Sequence, residues 1–584
     1  MFWTWATPAL VGFLHITSAA VINADSNGKE GPTVHVTNGT YQGRYEPSYN
    51  TDYFLGIPYA QPPTGDLRFR VPRSLDTAWK GTRNATEYSP ECYGYGLDTL
   101  SQGNHVSEDC LTLNVVKPRG VGDHLPVLVW IHGGGFVMGG SADNRYNQSF
   151  IVQQSVKAGM PIIAISINYR LSAWGFLYGT EIQETGQTML GLRDQRLALR
   201  WIQENIAAFG GDPTRVTIQG ESAGGFSVGA QLLAYDGRDD GLFSGAISES
   251  GAPVSLDPYP TVEDWDYVIA KISAETGCSN STSVLDCLRE LPADKLNDVI
   301  NSTATDGASY GAVIDGDWFT QSAAEQLEKG DFVKVPYIIG CNADEGTSFG
   351  PYGINTTPQF LDYLADQGID NATAQDLAIL YPDIPAIGNP STLDGRPQGE
   401  LTGIGLQWKR TSSLVGDTKM NEPRRLTAHW WAEYGATAYS YVFDVLVNGV
   451  QFWQGSPHFQ EVAFVFYNTE GLGYPQNGNP NPLGGVENPA YLKLAKQMVR
   501  MWISFVNFGD PNKRLGATWP AYDTSDPRYY AFNQNTTSKA KPDLFRAAGM
   551  AYIGELIMAR KGTNCTGITA CGSSYDGDIA SISR

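Results

Sequence analysis

Positive charge is scarce in this sequence. Its 40 Lys and Arg residues stand against 61 Asp and Glu residues, which gives a formal net charge of −21. Proteins that bind nucleic acid neutralise its phosphate groups with Lys and Arg, so this balance argues against a nucleic-acid partner. An acidic surface also offers anionic membranes little to attract. We interpret the acidic charge as a feature that keeps the protein soluble.

Cysteine is scarce as well, with seven residues in 584. Six of them form three pairs of close neighbours, namely Cys92 and Cys110, Cys278 and Cys287, and Cys565 and Cys571. Short loops of this kind suit an oxidising compartment, although the spacing alone leaves the connectivity open. Cys341 is left over and follows the apolar run VPYIIG, which predicts a buried free thiol rather than a reactive one.

Repeats of fixed period and long low-complexity linkers are missing, and one apolar stretch opens the chain. Residues 1–20, MFWTWATPALVGFLHITSAA, end in small residues, as signal peptides do. The stretch lacks the Lys or Arg usual near the start of a signal peptide, and a membrane anchor is the alternative. Its Thr, Pro and His residues make a poor membrane span. We predict cleavage and a secreted, extracellular protein, with a single domain over residues 21–584 and a peripheral tail at about 562–584.

Acceptor motifs for N-glycans agree with secretion. The pattern N-x-[ST] occurs at Asn38, Asn84, Asn147, Asn280, Asn301, Asn355, Asn371, Asn535 and Asn564. Each match alone is weak, but the set is typical of a secreted protein whose surface carries N-glycans.

Apolar runs alternate with helical patterns along the chain. Strand-like runs occupy residues 126–132, 161–168, 215–219, 245–248, 335–340 and 436–446, and helical patterns occupy 191–209 and 491–508. This alternation predicts an α/β fold whose mostly parallel sheet is covered by helices on both faces. Residues 261–331 and 358–427 are more polar and helical, and we interpret them as excursions that cap the sheet.

The pattern G-x-S-x-G occurs four times, at Ser222, Ser227, Ser309 and Ser348. A nucleophilic serine on a sharp turn needs a strand directly before it and a helix directly after it. Ser222 alone meets both conditions, since RVTIQ precedes GESAG and AGGFSVGAQLLAY follows. Ser227 would lie inside that helix, and Ser309 and Ser348 lack a strand directly before them. We therefore predict Ser222 as a catalytic nucleophile.

A glycine-rich turn upstream suits the charge that such a nucleophile creates. Acyl transfer builds negative charge on a carbonyl oxygen, and backbone N–H groups stabilise it. The sequence HGGGF follows the strand-like run VLVWI, and its glycines let the backbone approach a substrate closely. We predict that the amides of Gly134, Gly135 and Ala223 form an oxyanion hole.

The base and the acid follow from order along the chain. In α/β hydrolases the acid and then the histidine come after the serine, and only His429 and His458 follow Ser222. His429 lies in a helical pattern, whereas His458 lies in a loop beyond a strand, so we predict His458 as the base. Glu345, in the turn NADEG after another strand, is the predicted acid, and Asp344 is the second candidate.

These motifs together resemble the carboxylesterase type B family of cholinesterases, fungal lipases and steryl esterases. The resemblance runs from about residue 31 to about residue 523 and includes GIPYAQPP, SEDCLTLNV, HGGGF, GESAGG, NADEG and WPAY. It implies an α/β-hydrolase fold and the triad Ser222, Glu345 and His458. It also implies disulfides between Cys92 and Cys110 and between Cys278 and Cys287. We predict that the reaction of this triad needs no metal or cofactor.

Departures from the family narrow the substrate. The tryptophan with which cholinesterases stack on choline has no counterpart in GLDTLSQGNHV, which argues against cholinesterase activity. The loop that forms a long lid in the lipases is shorter here, which argues against interfacial activation. We predict a serine carboxylic ester hydrolase acting on small-molecule or lipid esters. A lipase or steryl esterase for long apolar acyl chains is the first alternative, and a non-catalytic adhesion protein on the same fold is the second.

Overall fold

A computed structural model describes residues 31–101, 103–474, 481–485, 488–516, 518–533 and 537–560 of the chain. Several expectations lie outside these residues, namely the signal peptide (1–20), the tail (562–584), the pair Cys565 and Cys571, and the glycan acceptors Asn535 and Asn564.

The described residues contain sixteen strands. In chain order they are β1 Thr33–Val36, β2 Gly39–Gln42, β3 Arg44–Glu46, β4 Thr51–Pro58, β5 Thr82–Asn84, β6 Glu91–Cys92, β7 Val106–Ser107, β8 Thr112–Pro118, β9 Leu125–Ile131, β10 Ile163–Ile167, β11 Gly211–Glu221, β12 Gly245–Glu249, β13 Tyr337–Asn342, β14 Ala438–Asp444, β15 Arg528–Asn533 and β16 Lys539–Pro542.

Eleven of these strands form the main sheet, in the order β16-β15-β14-β13-β12-β11-β9-β10-β8-β4-β3. The seven strands from β15 to β10 run parallel, and antiparallel strands complete both edges. Every residue of β9 and of β10 is buried, as expected of parallel strands that are covered on both faces. The predicted mostly parallel α/β sheet is confirmed.

Eighteen α-helices accompany the sheet in the described residues. They are α1 Leu97–Ser101, α2 Gln148–Lys157, α3 Ser172–Phe176, α4 Thr180–Glu184, α5 Leu190–Asn205, α6 Ala223–Gly237, α7 Val262–Thr276, α8 Val284–Glu290, α9 Ala293–Ile300, α10 Ala323–Lys329, α11 Gly346–Phe349, α12 Thr357–Asp366, α13 Asn371–Leu380, α14 Trp408–Gly416, α15 Glu422–Glu433, α16 Val462–Val465, α17 Pro489–Phe508 and α18 Ala547–Ala559.

Alternate side chains of the sheet pack into two separate hydrophobic cores, one on each face. On β9, Val129 packs in one core and Trp130 in the other, because successive side chains of a strand point to opposite faces. Helix α5 contributes Leu199 to the first core, and α17 contributes Trp502 to the second. Helices therefore cover both faces of the sheet, as the sequence predicts.

The polar excursions are helical, and one helix ends earlier than its pattern predicts. Residues 261–331 contain α7 to α10, and residues 358–427 contain α12 to α14 and the start of α15. The pattern over 191–209 gives α5 only as far as Asn205, and Ile206–Phe209 form a 3₁₀ turn that Gly210 ends at a φ of 86°. Tightening of a last helical turn in this way satisfies carbonyls that lack an i+4 partner.

Both disulfides implied by the family resemblance are present, Cys92–Cys110 and Cys278–Cys287. Cys341 is buried and free, as its apolar surroundings predict. Among the described residues, no helix combines the length and the apolar character needed to cross a membrane.

Candidate active site

Ser222 lies on the sharp turn between β11 and α6. Its backbone has a φ of 57° and a ψ of −125°, a conformation that non-glycine residues rarely adopt. The N–H of Ser222 donates a hydrogen bond to the carbonyl of Glu249, at the end of the neighbouring strand, at 2.9 Å. Such strain persists only where the surroundings hold it, and it is concentrated at functional sites.

The glycines of GESAG leave no room for a side chain. A Cβ on Gly220 would lie 2.3 Å from the carbonyl oxygen of Gly224, and a Cβ on Gly224 would lie 2.0 Å from that of Ile131. The turn is therefore packed directly against the end of β9. This close packing is the physical reason for both glycines of the pattern around Ser222.

The other three matches to the pattern have different surroundings. Ser227 is fully buried in α6, where its hydroxyl donates to the carbonyl of Ala223 at 2.8 Å and accepts from Gln195. Ser309 lies in an exposed loop with no strand before it. Ser348 lies in the short helix α11. Among the four, only Ser222 has a strand directly before it and a helix directly after.

The glycine turn HGGGF lies beside Ser222. A Cβ on Gly133 would come within 3.0 Å of the Cβ of Ser222. Gly134 and Gly135 have φ values of 99° and 64°, and their N–H groups have no hydrogen-bond partner in the described part of the chain. Ala223 begins α6, where the first N–H groups have no partner within the helix. All three amides predicted to bind an oxyanion are thus available as donors.

The predicted base and acid meet at the same edge of the sheet. Strands β13 and β14 are parallel neighbours, so the segments that follow them emerge side by side. Glu345 follows β13, His458 lies in the loop after β14, and His458 Nδ1 is 2.7 Å from Glu345 Oε2. His429, the alternative base, lies on α15, where its ring meets that of Trp430 edge-on.

The Glu345 carboxylate is held by two further donors. Its Oε1 accepts from Ser250 Oγ at 2.5 Å and from the N–H of Asn342 at 2.7 Å. Its side chain is fully buried. With one oxygen fixed in this way, the other oxygen is left to bond the imidazole and to set its orientation.

A second carboxylate faces the opposite side of the imidazole. Glu221 Oε1 is 3.3 Å from His458 Nε2, and neither atom has a hydrogen-bond partner among the described residues. Burial lowers the pKa of His458, but the Glu221 and Glu345 carboxylates raise it, and the net result is about 9.

Asp344, the second candidate for the acid, bonds elsewhere. Its Oδ2 accepts from the N–H of Ser456 at 2.8 Å, in the loop that carries His458. Burial raises the pKa of Asp344 to about 7, against the backbone hydrogen bond from Ser456. The structure therefore separates the two neighbouring carboxylates, since only Glu345 contacts the imidazole.

Sequence reasoning missed three polar residues of this site. Glu221 lies inside the GESAG motif, but the pattern G-x-S-x-G allows any residue type at its position. Ser250 follows β12 without any motif, and its positive φ of 48° is visible only in the structure. Glu461 is fully buried, accepts from Asn342 Nδ2 at 2.6 Å and lies 3.3 Å from Ser250 Oγ, and burial raises its pKa to about 7. Its only signal in the sequence is its place three residues after His458.

Comparisons with known proteins show which family the chain belongs to. The model of the carboxylesterase family matches residues 30–547. Lipase 4 of Diutina rugosa is 34% identical over 533 residues, with 85% of this chain and 90% of the relative covered. Secreted lipase 1 of Botryotinia fuckeliana is 34% identical over 520 residues, which cover 80% and 83%.

A solved structure extends the likeness to the fold. The crystal structure of Aspergillus niger EstA superimposes with a TM-score of 0.75 at 27% identity, covering 90% of this chain and 98% of that one. The match of the family model spans most of the sheet and the residues of the site. The chain therefore belongs to the carboxylesterase family, has its α/β-hydrolase fold and is a carboxylic ester hydrolase.

Proposed function

We propose that this protein is a secreted serine carboxylic ester hydrolase that works through an acyl-enzyme. In this proposal Ser222 is the nucleophile, His458 the general base and Glu345 the acid that orients it. The observation that carries the proposal is the 2.7 Å contact between His458 Nδ1 and Glu345 Oε2, at the sheet edge where Ser222 occupies its strained turn.

In the acylation step, Ser222 Oγ attacks the ester carbonyl while its proton passes to His458 Nε2. That nitrogen is the right acceptor because Nδ1 is engaged by Glu345. The tetrahedral intermediate then collapses, the bond to the alcohol oxygen breaks, and His458 returns the proton to the leaving alcohol. The acyl group remains on Ser222 as an ester.

The intermediate places a negative charge on the former carbonyl oxygen. The N–H groups of Gly134, Gly135 and Ala223 have no hydrogen-bond partner among the residues that the structure describes, so they are available for this oxygen. Fixed donors of this kind need no reorganisation as the charge develops, and removal of one donor typically costs about 10²- to 10³-fold in kcat.

In the deacylation step, water replaces the alcohol. His458 takes a proton from the water, whose oxygen attacks the acyl carbonyl, and then protonates Ser222 Oγ as the acyl bond breaks. The products are a carboxylic acid and the regenerated serine. In each step His458 is transiently a cation between Glu221 and Glu345, and both carboxylates favour that form.

Secretion rests on separate observations. Residues 1–20 have the pattern of a signal peptide that would be cleaved after Ala20, and relatives include a protein named secreted lipase 1. Two disulfides are consistent with an oxidising compartment. All seven glycan acceptors in the described residues are at least partly exposed, so we also propose N-glycans on the mature protein.

A lipase that acts on long acyl chains is the second candidate, because the names of the relatives favour it. Only 18 positions separate Cys92 from Cys110, which favours an esterase without a long lid. Rates on a series of p-nitrophenyl esters of increasing acyl length separate the two. A maximum at short chains supports the esterase, and a rate that rises with chain length and with emulsified substrate supports the lipase.

Hydrolysis of a short p-nitrophenyl ester by Ser222→Ala tests the catalytic proposal. We expect loss of activity with the fold retained, because the nucleophile is gone. Ser227→Ala is the matched control, since Ser227 also lies in a G-x-S-x-G match but is bonded within α6. Full activity in Ser222→Ala would overturn the proposal.

A further inference from the structure

The turn that contains Glu345 is also hydrogen-bonded to the loop that contains His458. The strongest link is reciprocal and joins Asp344 with Ser456. The N–H of Asp344 donates to the carbonyl of Ser456 at 3.0 Å, and the N–H of Ser456 donates to Asp344 Oδ2 at 2.8 Å. One residue of the turn thereby fixes both backbone groups of a residue two positions before His458.

Three more hydrogen bonds join the same two segments. They run from Thr347 Oγ1 to the carbonyl of Gln454 at 2.8 Å, from Asn342 Nδ2 to the carbonyl of Pro457 at 2.9 Å, and from the N–H of His458 to Ser348 Oγ at 3.1 Å. The backbone of the loop is therefore held on both sides of Ser456 and at His458 itself.

The approach of Asp344 depends on a glycine in the loop. Gly455 has a φ of 70°, and a Cβ on it would lie 2.1 Å from Asp344 Oδ2. Asp344 is 5% exposed, so its carboxylate works away from bulk water. A backbone N–H bonded to a carboxylate makes a stronger and shorter contact than one bonded to a neutral acceptor.

We propose that Asp344 and Ser348 are positioning residues for His458. They fix the backbone of its loop, so that Nδ1 bonds Glu345 and Nε2 lies 3.3 Å from Oε1 of Glu221, the residue before Ser222. This inference rests on the proposed function, because it assumes that His458 is the base. It gives a role to the carboxylate that competes with Glu345 as the acid, and to a serine that matches the nucleophile pattern without being the nucleophile.

The fall in rate expected when these hydrogen bonds are removed follows from the geometry of general-base catalysis. A displacement of about 1 Å at a reacting group can lower the rate on the order of 10²-fold. Displacement would also take the imidazole away from the Glu345 carboxylate, which raises the pKa of His458. A looser loop therefore predicts both a lower kcat and a His458 that titrates at lower pH.

The test uses Asp344→Ala, Asp344→Asn and Ser348→Ala in the full-length enzyme with a short p-nitrophenyl ester. Rates are divided by the number of active sites, counted by titration with an organophosphate. For Asp344→Ala we expect kcat to fall about 10- to 100-fold, with KM near the wild-type value and the acid limb of kcat/KM at lower pH. Asp344→Asn keeps an oxygen acceptor and should recover most of the rate.

Ser348→Ala is the variant to use if Asp344→Ala does not fold. Ser348 is exposed, so this substitution should not disturb folding. It should lower kcat several-fold, again without a change in KM. Wild-type kcat and an unmoved pH profile in the variants that fold would overturn the inference. The proposed function fails separately, if Ser222→Ala keeps full activity.

Discussion

Replacement of Glu221 by glutamine should lower the pKa of His458 and move the acid limb of the pH–rate profile to lower pH. The base must be neutral to accept the proton of Ser222, so activity falls as the pH drops below the pKa of His458. In the wild-type protein this pKa is about 9, raised by Glu221 and Glu345 against the effect of burial. Activity should therefore still be rising between neutral pH and about pH 9.

The size of the shift follows from the distance. Two unit charges 3.3 Å apart interact by about 1.3 kcal/mol at the dielectric constant of water and by about 5 kcal/mol at an effective value of about 20. One pKa unit corresponds to about 1.4 kcal/mol. Glu221→Gln should thus lower the pKa of His458 by about one unit or more, and the plateau of kcat/KM should fall because the imidazolium loses a favourable charge.

The assay is kcat/KM for a short p-nitrophenyl ester from pH 5 to 10, with product read at a wavelength that does not depend on pH. Glu249→Gln is the matched control. Glu249 is also a buried glutamate at the end of a strand, but its carboxylate bonds Gln219 and Trp502 rather than the imidazole. An acid limb that stays in place or moves to higher pH in Glu221→Gln would contradict this role of Glu221.

Three further predictions concern the acid, the turn and the glycans. Glu345→Gln should lower kcat on the order of 10³- to 10⁴-fold with little change in melting temperature, because an amide neither stabilises the imidazolium nor favours its tautomer. Gly224→Ala should yield little folded enzyme, since its Cβ would lie 2.0 Å from a backbone carbonyl, whereas Gly403→Ala, with open space, should behave as wild type in the same melting and activity assays. Mass spectrometry of glycopeptides from the secreted protein should find a glycan on Asn84 and none on Asn147. Asn84 is exposed, whereas the side chain of Asn147 accepts a hydrogen bond from the N–H of Ser149 at the start of α2. A glycan on Asn147 would contradict this.

The turn around Ser222 can be predicted from the sequence because its steric requirements fix the residue types within one short segment. The turn at Ser222 needs a strand, two glycines and a helix within about fifteen residues, and each has its own pattern. The strands before Glu345 and His458 are equally visible as apolar runs. These two strands are parallel neighbours, so the segments after them lie side by side. A correct prediction of strand order therefore also predicts that Glu345 lies near His458.

The contacts that cross between segments cannot be read in this way. Glu221 faces His458 only because the ends of β11 and of the loop after β14 converge, and no periodic pattern records that convergence. Ser250 and Glu461 are single polar residues whose burial depends on the packing of several elements. The same holds for Asp344: the sequence ranks it second to Glu345 as the acid, but its reciprocal bonds with Ser456 are visible only in the structure.

Every catalytic role proposed above depends on Ser222 being the nucleophile of an acyl-transfer triad. The most direct measurement is mass spectrometry of peptides after the folded protein has reacted with an organophosphate that labels activated serines. We expect one phosphoryl group per chain, on Ser222, with complete loss of ester hydrolysis and no labelling in His458→Ala. A label on Ser227, Ser309 or Ser348, or an unlabelled and fully active Ser222, would contradict it.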